Sequence, residues 1–318
     1  MNYTQLVSIV IANYNYGRFL EEAIQSVAAQ NMGGKVELII CDAKSTDDSV
    51  DVIKKYANGL PPNTSYDEWV SHCNSQPRTY NSQLISWWCS EPDGGQSAAF
   101  NKGFSHAHGR FLTWLNSDDV LLPGALKKLE LAAKKHPACE WFVGGVLWLD
   151  KDMNVVKCGR GRRFSEIRYK EGWVNVWGPS SFFTKRILDA AGGVDERYHY
   201  TMDTELWLRF ASKLGARYKP FANYAWGLRM HENAKMSGHN FSTKSGDKGK
   251  SEIDKLRCSP HFAQMKQEEL WMWEWFDRKP HTKITRFLSA AYLQVALAWF
   301  DTMRFKGKHY LEMCKCKA

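Results

Sequence analysis

The first 120 residues alternate apolar runs with segments of helical period. Residues 7–12 (VSIVIA), 36–42 (VELIICD), 84–91 (LISWWCSE) and 110–116 (RFLTWLN) are apolar almost throughout. Strands of that kind are buried on both faces. Between them, 18–30 (RFLEEAIQSVAAQ) and 44–57 (KSTDDSVDVIKKYA) repeat apolar residues at helical spacing, and 93–109 opens on glycines before a third helix. Strands interleaved with helices in this way predict an α/β fold, with a mostly parallel sheet covered on both faces.

Beyond residue 120 the pattern is mixed. Pro123 suits the first turn of a helix. CEWFVGGVLWLD (139–150) reads as a strand, ILDAAGG (187–193) as a short helix and MDTELWLRFASKLG (202–215) as an amphipathic helix. The stretch 59–83 is too polar and proline-rich for core and reads as an insertion or lid. From 253 onward the chain looks helical, with an aromatic cluster WMWEWF at 271–276. The division predicted is a body over 1–240 and a helical, basic C-terminal extension over 241–318.

Composition changes this picture little. With 318 residues, 44% hydrophobic and 24% charged, a folded core is the default. No run of about eighteen apolar residues predicts a spanning helix, and the N-terminus enters a strand without a basic leader. The eight cysteines lack paired zinc spacing, and scattered thiols predict a reducing, cytoplasmic setting. The net charge of +9 is concentrated in the tail: nine Lys/Arg stand against Asp301 and Glu312 from 278 to 318. A near-neutral body excludes a nucleic-acid groove across it. Residues 284–305 are apolar, aromatic and flanked by basic residues. They read either as a helix lying on an anionic membrane surface or as one packed on the body.

Ligands of open parallel sheets bind beyond the carboxyl ends of the strands. Here those ends are Asn13-Tyr14-Asn15, Asp42, Glu91-Pro92-Asp93 and Asn116-Ser117-Asp118-Asp119, an acidic rim. Adjacent Asp118 and Asp119 suit a hard divalent cation, Mn²⁺ or Mg²⁺, or else cap the helix that follows. Asp42 is either an acceptor for a base N–H or a helix cap, a role that Ser45 and Thr46 already fill. DGGQSAAFNKG (93–103) allows close approach to a phosphate, and Lys102 either balances its charge or is solvated. Asp203 and Glu205, early in a helix, favour its dipole, while Asp203 also suits a general base. His231 is a metal ligand or a structural histidine.

The order of five blocks resembles glycosyltransferase family 2: VSIVIANYNYGRFLEEAIQSVAAQ, VELIICDAKSTDDS, EPDGGQSAAFNKG, GRFLTWLNSDDVLLPGAL and GGVDERYHYTMDTELWLRF. The resemblance covers about residues 5 to 240. It implies the GT-A fold, with a nucleotide-binding half over 1–120 and an acceptor half over 121–240. It also implies inverting, metal-dependent transfer of a sugar from a nucleotide-diphosphate donor to a hydroxyl of a glycan or lipid-linked saccharide. By this resemblance Ala12, Asn13, Tyr14, Asn15 and Asp42 hold base and ribose, and Glu91, Asp93 and Lys102 line nucleotide and donor sugar. Asn116, Ser117 and Asp118 continue that site, and Asp118, Asp119 and His231 hold Mn²⁺ or Mg²⁺. Asp203 matches the base, and Glu205 and Trp207 fall on the acceptor side. Asn116 stands where relatives carry an aspartate, and Met202 where they carry a glutamate. A lipid-linked acceptor suits a peripheral location on the cytoplasmic face of a membrane. The rival reading is a non-catalytic nucleotide-sugar-binding scaffold, against which an intact DTELW block counts.

Overall fold

The computed structural model describes residues 5–57, 59–65, 68, 84–161, 176–232, 234, 264, 267, 268 and 292–314. The four apolar runs form β1 (Val7–Asn13), β2 (Val36–Asp42), β3 (Ile85–Ser90) and β4 (Phe111–Asn116). They pair in parallel, in the order β3-β2-β1-β4. Register aligns their polar ends: Asn13 lies opposite Asp42, Ala12 opposite Asn116, and Asp42 opposite Ser90. The single rim expected from the sequence is thus formed.

Alternation along β1 sends Ile9 and Ile11 to one face and Val10 to the other, and both faces are covered. Leu20, Ala23, Ile24 and Val27 of α1 (Gly17–Ala28) bury against Ile9, Ile11, Leu38 and Ile40. Helix α2 (Ser49–Ala57) lies on the same side through Ile53. Ala99, Phe100 and Phe104 of α3 (Gln96–Ser105) pack on Val10, Ile39 and Trp114 opposite. The i, i+3, i+4 spacing read from the sequence is the spacing of these buried positions.

The second half continues the same sheet. Strands β5 (Val120–Leu121), β6 (Trp141–Leu149), β8 (Ser181–Thr184) and β9 (Tyr218–Arg229) extend it as β4-β8-β6-β9-β5, and β7 (Val155–Gly159) pairs with β6. Strand β8 runs antiparallel to both β4 and β6, so the sheet becomes mixed beyond β4. Strands β5, β7 and β8 were not foreseen, because runs this short carry too little periodicity to register. Helix α4 (Ala125–Lys135) starts two residues after Pro123, behind Gly124 at φ 74°. Helix α5 (Lys185–Ala191) follows β8. The helix expected over 202–215 is α-helical only as α6 (Met202–Leu208), and a π turn takes Arg209–Lys213.

Helix α7 (Tyr292–Phe305) packs on β7. Thr302 Oγ1 accepts the Cys158 amide at 3.0 Å, and Asp301 accepts Arg160 Nε at 2.7 Å and the Tyr224 hydroxyl. Phe305 and Tyr310 join Leu147, Leu149 and Val155 in the core. The tail therefore has a packed face, as one of its two readings required. Residues 284–291, the WMWEWF cluster and most of the 59–83 insertion lie outside the described residues. Among the described residues no helix is long and apolar enough to cross a membrane.

Candidate active site

The end of β2 is built around Asp42, which is 1% exposed. Its Oδ1 accepts Asn13 Nδ2 at 2.8 Å and Ser45 Oγ at 2.5 Å, while Oδ2 accepts Ser45 N at 3.0 Å and Ser90 Oγ at 2.6 Å. A carboxylate offers about four lone-pair sites, and all are taken. Asp42, expected to hold the base, here fixes Asn13 and Ser45. Nor do Ser45 and Thr46 cap α2: Asp47 does, accepting Ser49 N at 3.0 Å. Asp47 also accepts Gly17 N at 2.9 Å, tying α1 to α2. A Cβ on Gly17 would lie 1.9 Å from an Asp48 oxygen, so only glycine permits this approach.

Held this way, the turn after β1 presents Tyr14, 59% exposed, and Asn15 at φ 55°. Asn15 is pinned there by Ser45 Oγ and by the Thr46 amide, each at 2.8 Å. The Asn13 Oδ1 is buried and, among the described residues, accepts nothing. Across the rim, Asp93 accepts Gly95 N at 2.8 Å at the start of α3, and Glu91 pairs with Lys102 at 2.8 Å. That bond to Glu91 raises the Lys102 pKa and keeps the ammonium charged.

The loop after β4 divides its two aspartates by role. Asp119 is buried; its Oδ1 accepts Arg229 N at 3.0 Å and its Oδ2 accepts Asn116 Nδ2 at 2.8 Å. Burial, and then the neighbouring Asp118 charge, push the Asp119 carboxyl well above the usual range. Asp118 stands in front, with Oδ2 3.1 Å from His231 Nε2. The His231 ring rests 4.7 Å from Phe19, centroid to centroid. Among the described residues no three His, Cys, Asp or Glu side chains are grouped to hold an ion. Of the three expected ligands, Asp118 and His231 stand together, and Asp119 lies buried behind them. A carboxylate beside an imidazole fits a divalent ion completed by phosphate oxygens and water, and the nitrogen favours Mn²⁺ over the oxygen-seeking Mg²⁺.

Asn116 is explained by the same geometry. Its amide donates to Asp119 while its Oδ1 accepts Gln96 Nε2 at 2.9 Å. An ionised aspartate at 116 could still accept from Gln96 but could not donate to Asp119. Ser117 beside it is buried. Gln96 and Arg229 are the residues that sequence reasoning missed. Arg229 is buried, donates from Nε to the Asp118 carbonyl at 3.0 Å, pairs with Glu22 and lies 4.8 Å from the Phe19 ring. A lone arginine closing the apolar run YAWGLR was the available signal.

Asp203 opens α6. Its Oδ1 accepts Thr204 N at 2.6 Å, and the Gly178 amide also reaches its carboxylate. Burial pushes its carboxyl up in spite of these bonds. Gly178 packs on Trp114, where an added Cβ would lie 2.9 Å from the indole. Helix α6 is coupled to the rim through α3: Ser97 Oγ donates to the Tyr198 carbonyl at 2.7 Å and contacts Met202 Sδ at 3.0 Å.

The two acceptor-side expectations do not hold. Trp207 is fully buried between Trp114 and Trp141, with ring centroids 5.5 and 5.2 Å away. Glu205 is buried and clamps Arg209 through bonds of 2.7 and 2.6 Å, and Arg209 reaches the carbonyls of Ala191 and Gly193. Glu205, two residues on from Asp203, faces the opposite side of α6, while Trp207, one turn below Asp203, is covered by Trp114 and Trp141.

Comparison with known proteins bears on the family and the fold. A Mycobacterium tuberculosis protein described as an uncharacterized glycosyltransferase is 29% identical over 208 residues, 64% of this chain and 68% of that one. A Campylobacter jejuni protein, GalNAc(5)-diNAcBac-PP-undecaprenol beta-1,3-glucosyltransferase, is 27% identical over 207 residues, 64% of this chain and 58% of that one. Among solved structures, S. aureus TarS 1-349 in complex with UDP-GlcNAc superposes with a TM-score of 0.51 at 16% identity, over 94% of this chain and 79% of that one. That likeness shows the fold, the GT-A architecture. The sequence model described as Glycosyl transferase family 2 matches residues 8–70 and 80–175, half of the chain, and the protein belongs to that family.

Proposed function

We propose that this protein transfers a sugar, with inversion, from a nucleoside-diphosphate donor to a hydroxyl of a glycan or lipid-linked saccharide. A UDP-sugar is the first donor to consider, since TarS, of the same fold, was solved with UDP-GlcNAc. The observation that carries the reading is the placement of Asp203: a desolvated carboxylate on a helix that Ser97 ties to the donor rim.

Each group then has a role. Tyr14 offers a face on which a base stacks, and Asn13 Oδ1 is the buried acceptor left for a base N–H. Lys102 and the start of α3 receive the diphosphate. Asp118 and His231 hold Mn²⁺ or Mg²⁺, which when bound offsets the negative charge that grows on the leaving diphosphate. Asp203 accepts the proton of the attacking hydroxyl. A carboxylate raised by burial binds that proton more tightly than an ordinary one and so makes the stronger base.

A membrane surface belongs to the same proposal. On the side of α7 away from the core, Trp299, Phe300 and Met303 are exposed, with Leu311 following and Arg304, Lys306 and Lys308 among them. Apolar side chains interleaved with cations complement anionic lipid and would bring the site to a lipid-linked acceptor.

A thermal-shift panel of UDP, GDP, dTDP and CMP, with and without Mn²⁺, on wild type and Asp118→Ala, tests the donor site. A ligand held at 100 times its Kd stabilises by about 2.7 kcal/mol. One nucleotide should stabilise the protein only with Mn²⁺ and only when Asp118 is present. Stabilisation by none of them would remove the donor reading, and full turnover by Asp203→Asn would remove the base.

A further inference from the structure

Glu268 is 0% exposed and lies far along the chain from the family blocks. Its carboxylate gathers three successive backbone amides: Oε1 accepts His199 N at 2.8 Å, and Oε2 accepts Tyr200 N at 2.9 Å and Thr201 N at 3.0 Å. The Thr201 hydroxyl adds a longer bond at 3.3 Å. Backbone N–H groups therefore carry the burial of this charge, and burying a charge without such partners costs several kcal/mol.

The three amides belong to the residues just before α6. Thr201 is the N-cap of that helix and makes no side-chain cap bond of its own. The Thr201 amide is met instead from 67 residues away. On its other side the same segment meets the donor rim: Tyr198 takes Ser97 Oγ, and the His199 ring sits 3.4 Å from where a Cβ on Gly95 would stand. Residues 198–201 are thus held between the start of α3 and Glu268, and Asp203 follows directly.

We infer that Glu268 is the positioning residue for the catalytic base: by clamping the amides of 199–201 it sets where Asp203 stands relative to the donor. It touches no substrate, and the inference rests on the reading of Asp203 as base. It also gives the C-terminal segment a part in the active site that the family blocks do not contain. Geometry of this kind matters because a misplacement of about 1 Å can cost roughly 100-fold in rate.

The test compares wild type with Glu268→Ala, Glu268→Gln and Asp203→Asn. Amide hydrogen exchange of 199–201 reads the clamp without substrate, and hydrolysis of UDP-GlcNAc and GDP-mannose with Mn²⁺ gives kcat and KM. In Glu268→Ala, exchange at 199–201 should rise at least about 10-fold while the β1–β4 amides stay protected. Its kcat should fall roughly 100-fold with KM held within about twofold. Glu268→Gln keeps the packing and one acceptor oxygen and should fall between; if the alanine variant does not fold, the glutamine variant carries the test. Wild-type exchange at 199–201 in the variants overturns the inference, as does a loss that appears in KM instead of kcat. Should neither probe be hydrolysed, the exchange result decides alone. Turnover retained by Asp203→Asn would defeat the base assignment itself, whereas an inactive Asp203→Asn beside a fully active Glu268→Ala would defeat only the clamp.

Discussion

Removal of Glu205 distinguishes a structural carboxylate from an acceptor-binding one. Glu205 and Arg209 side chains are 4% and 11% exposed, so solvent screens their pairing little. Two bonds, of 2.7 and 2.6 Å, join them one helical turn apart, where α6 gives way to the π turn. Glu205→Ala leaves the guanidinium buried with only the carbonyls of Ala191 and Gly193 as partners. Breaking one side of a buried pair costs about 3–5 kcal/mol. In a chain of this size each kcal/mol lowers Tm by roughly 2–4 °C, so the midpoint should fall by about 6–20 °C. Urea denaturation followed by circular dichroism measures the loss, and a double-mutant cycle with Arg209→Met isolates the coupling. At a temperature where the variant is folded, its KM for acceptor should match wild type. A variant within about 1 kcal/mol of wild-type stability but with a raised acceptor KM would refute the reasoning and return Glu205 to the acceptor site.

Asp203 makes stability depend on pH. Its raised folded-state pKa means that ionisation in the native state carries a penalty absent in the unfolded chain. That penalty is nil below about pH 4, grows as pH rises through the raised native value and is constant above it. Denaturation from pH 4 to 8 should show this decline in wild type and a flatter profile in Asp203→Asn; identical slopes would count against a desolvated carboxylate. Tyr14→Ala should weaken nucleotide binding by about 1–3 kcal/mol, the worth of one stacked base, with melting of the unliganded protein unchanged. Calorimetry with the stabilising nucleotide checks this. Trp299→Ser with Phe300→Ser should abolish sedimentation with phosphatidylglycerol vesicles without altering stability, and equal binding to phosphatidylcholine by wild type would contradict the role of Arg304, Lys306 and Lys308.

Much of the fold was legible because it rests on local patterns. β1 to β4 and their intervening helices announce themselves by runs of apolar residues and by helical spacing, and burial of those positions is what the hydrophobic effect enforces. The rim was legible for the same reason: a strand buried on both faces must end where polar residues begin, and parallel register places such ends side by side. Tertiary structure alone decided what each polar residue does there. Asp42 and Asp118 look alike in sequence, yet one is saturated by Asn13, Ser45 and Ser90 and the other stands beside His231, 113 residues away. Asp203, Glu205 and Trp207 sit within five residues, yet Glu205 is buried against Arg209 and Trp207 between Trp114 and Trp141, contacts that only the fold supplies. Glu268 carries no local signature and Arg229 only its place at the end of an apolar run, because their partners are amides and a carbonyl of distant loops. Periodicity reports which face of an element is buried; which atom a polar side chain meets depends on chain crossings that only the folded molecule contains.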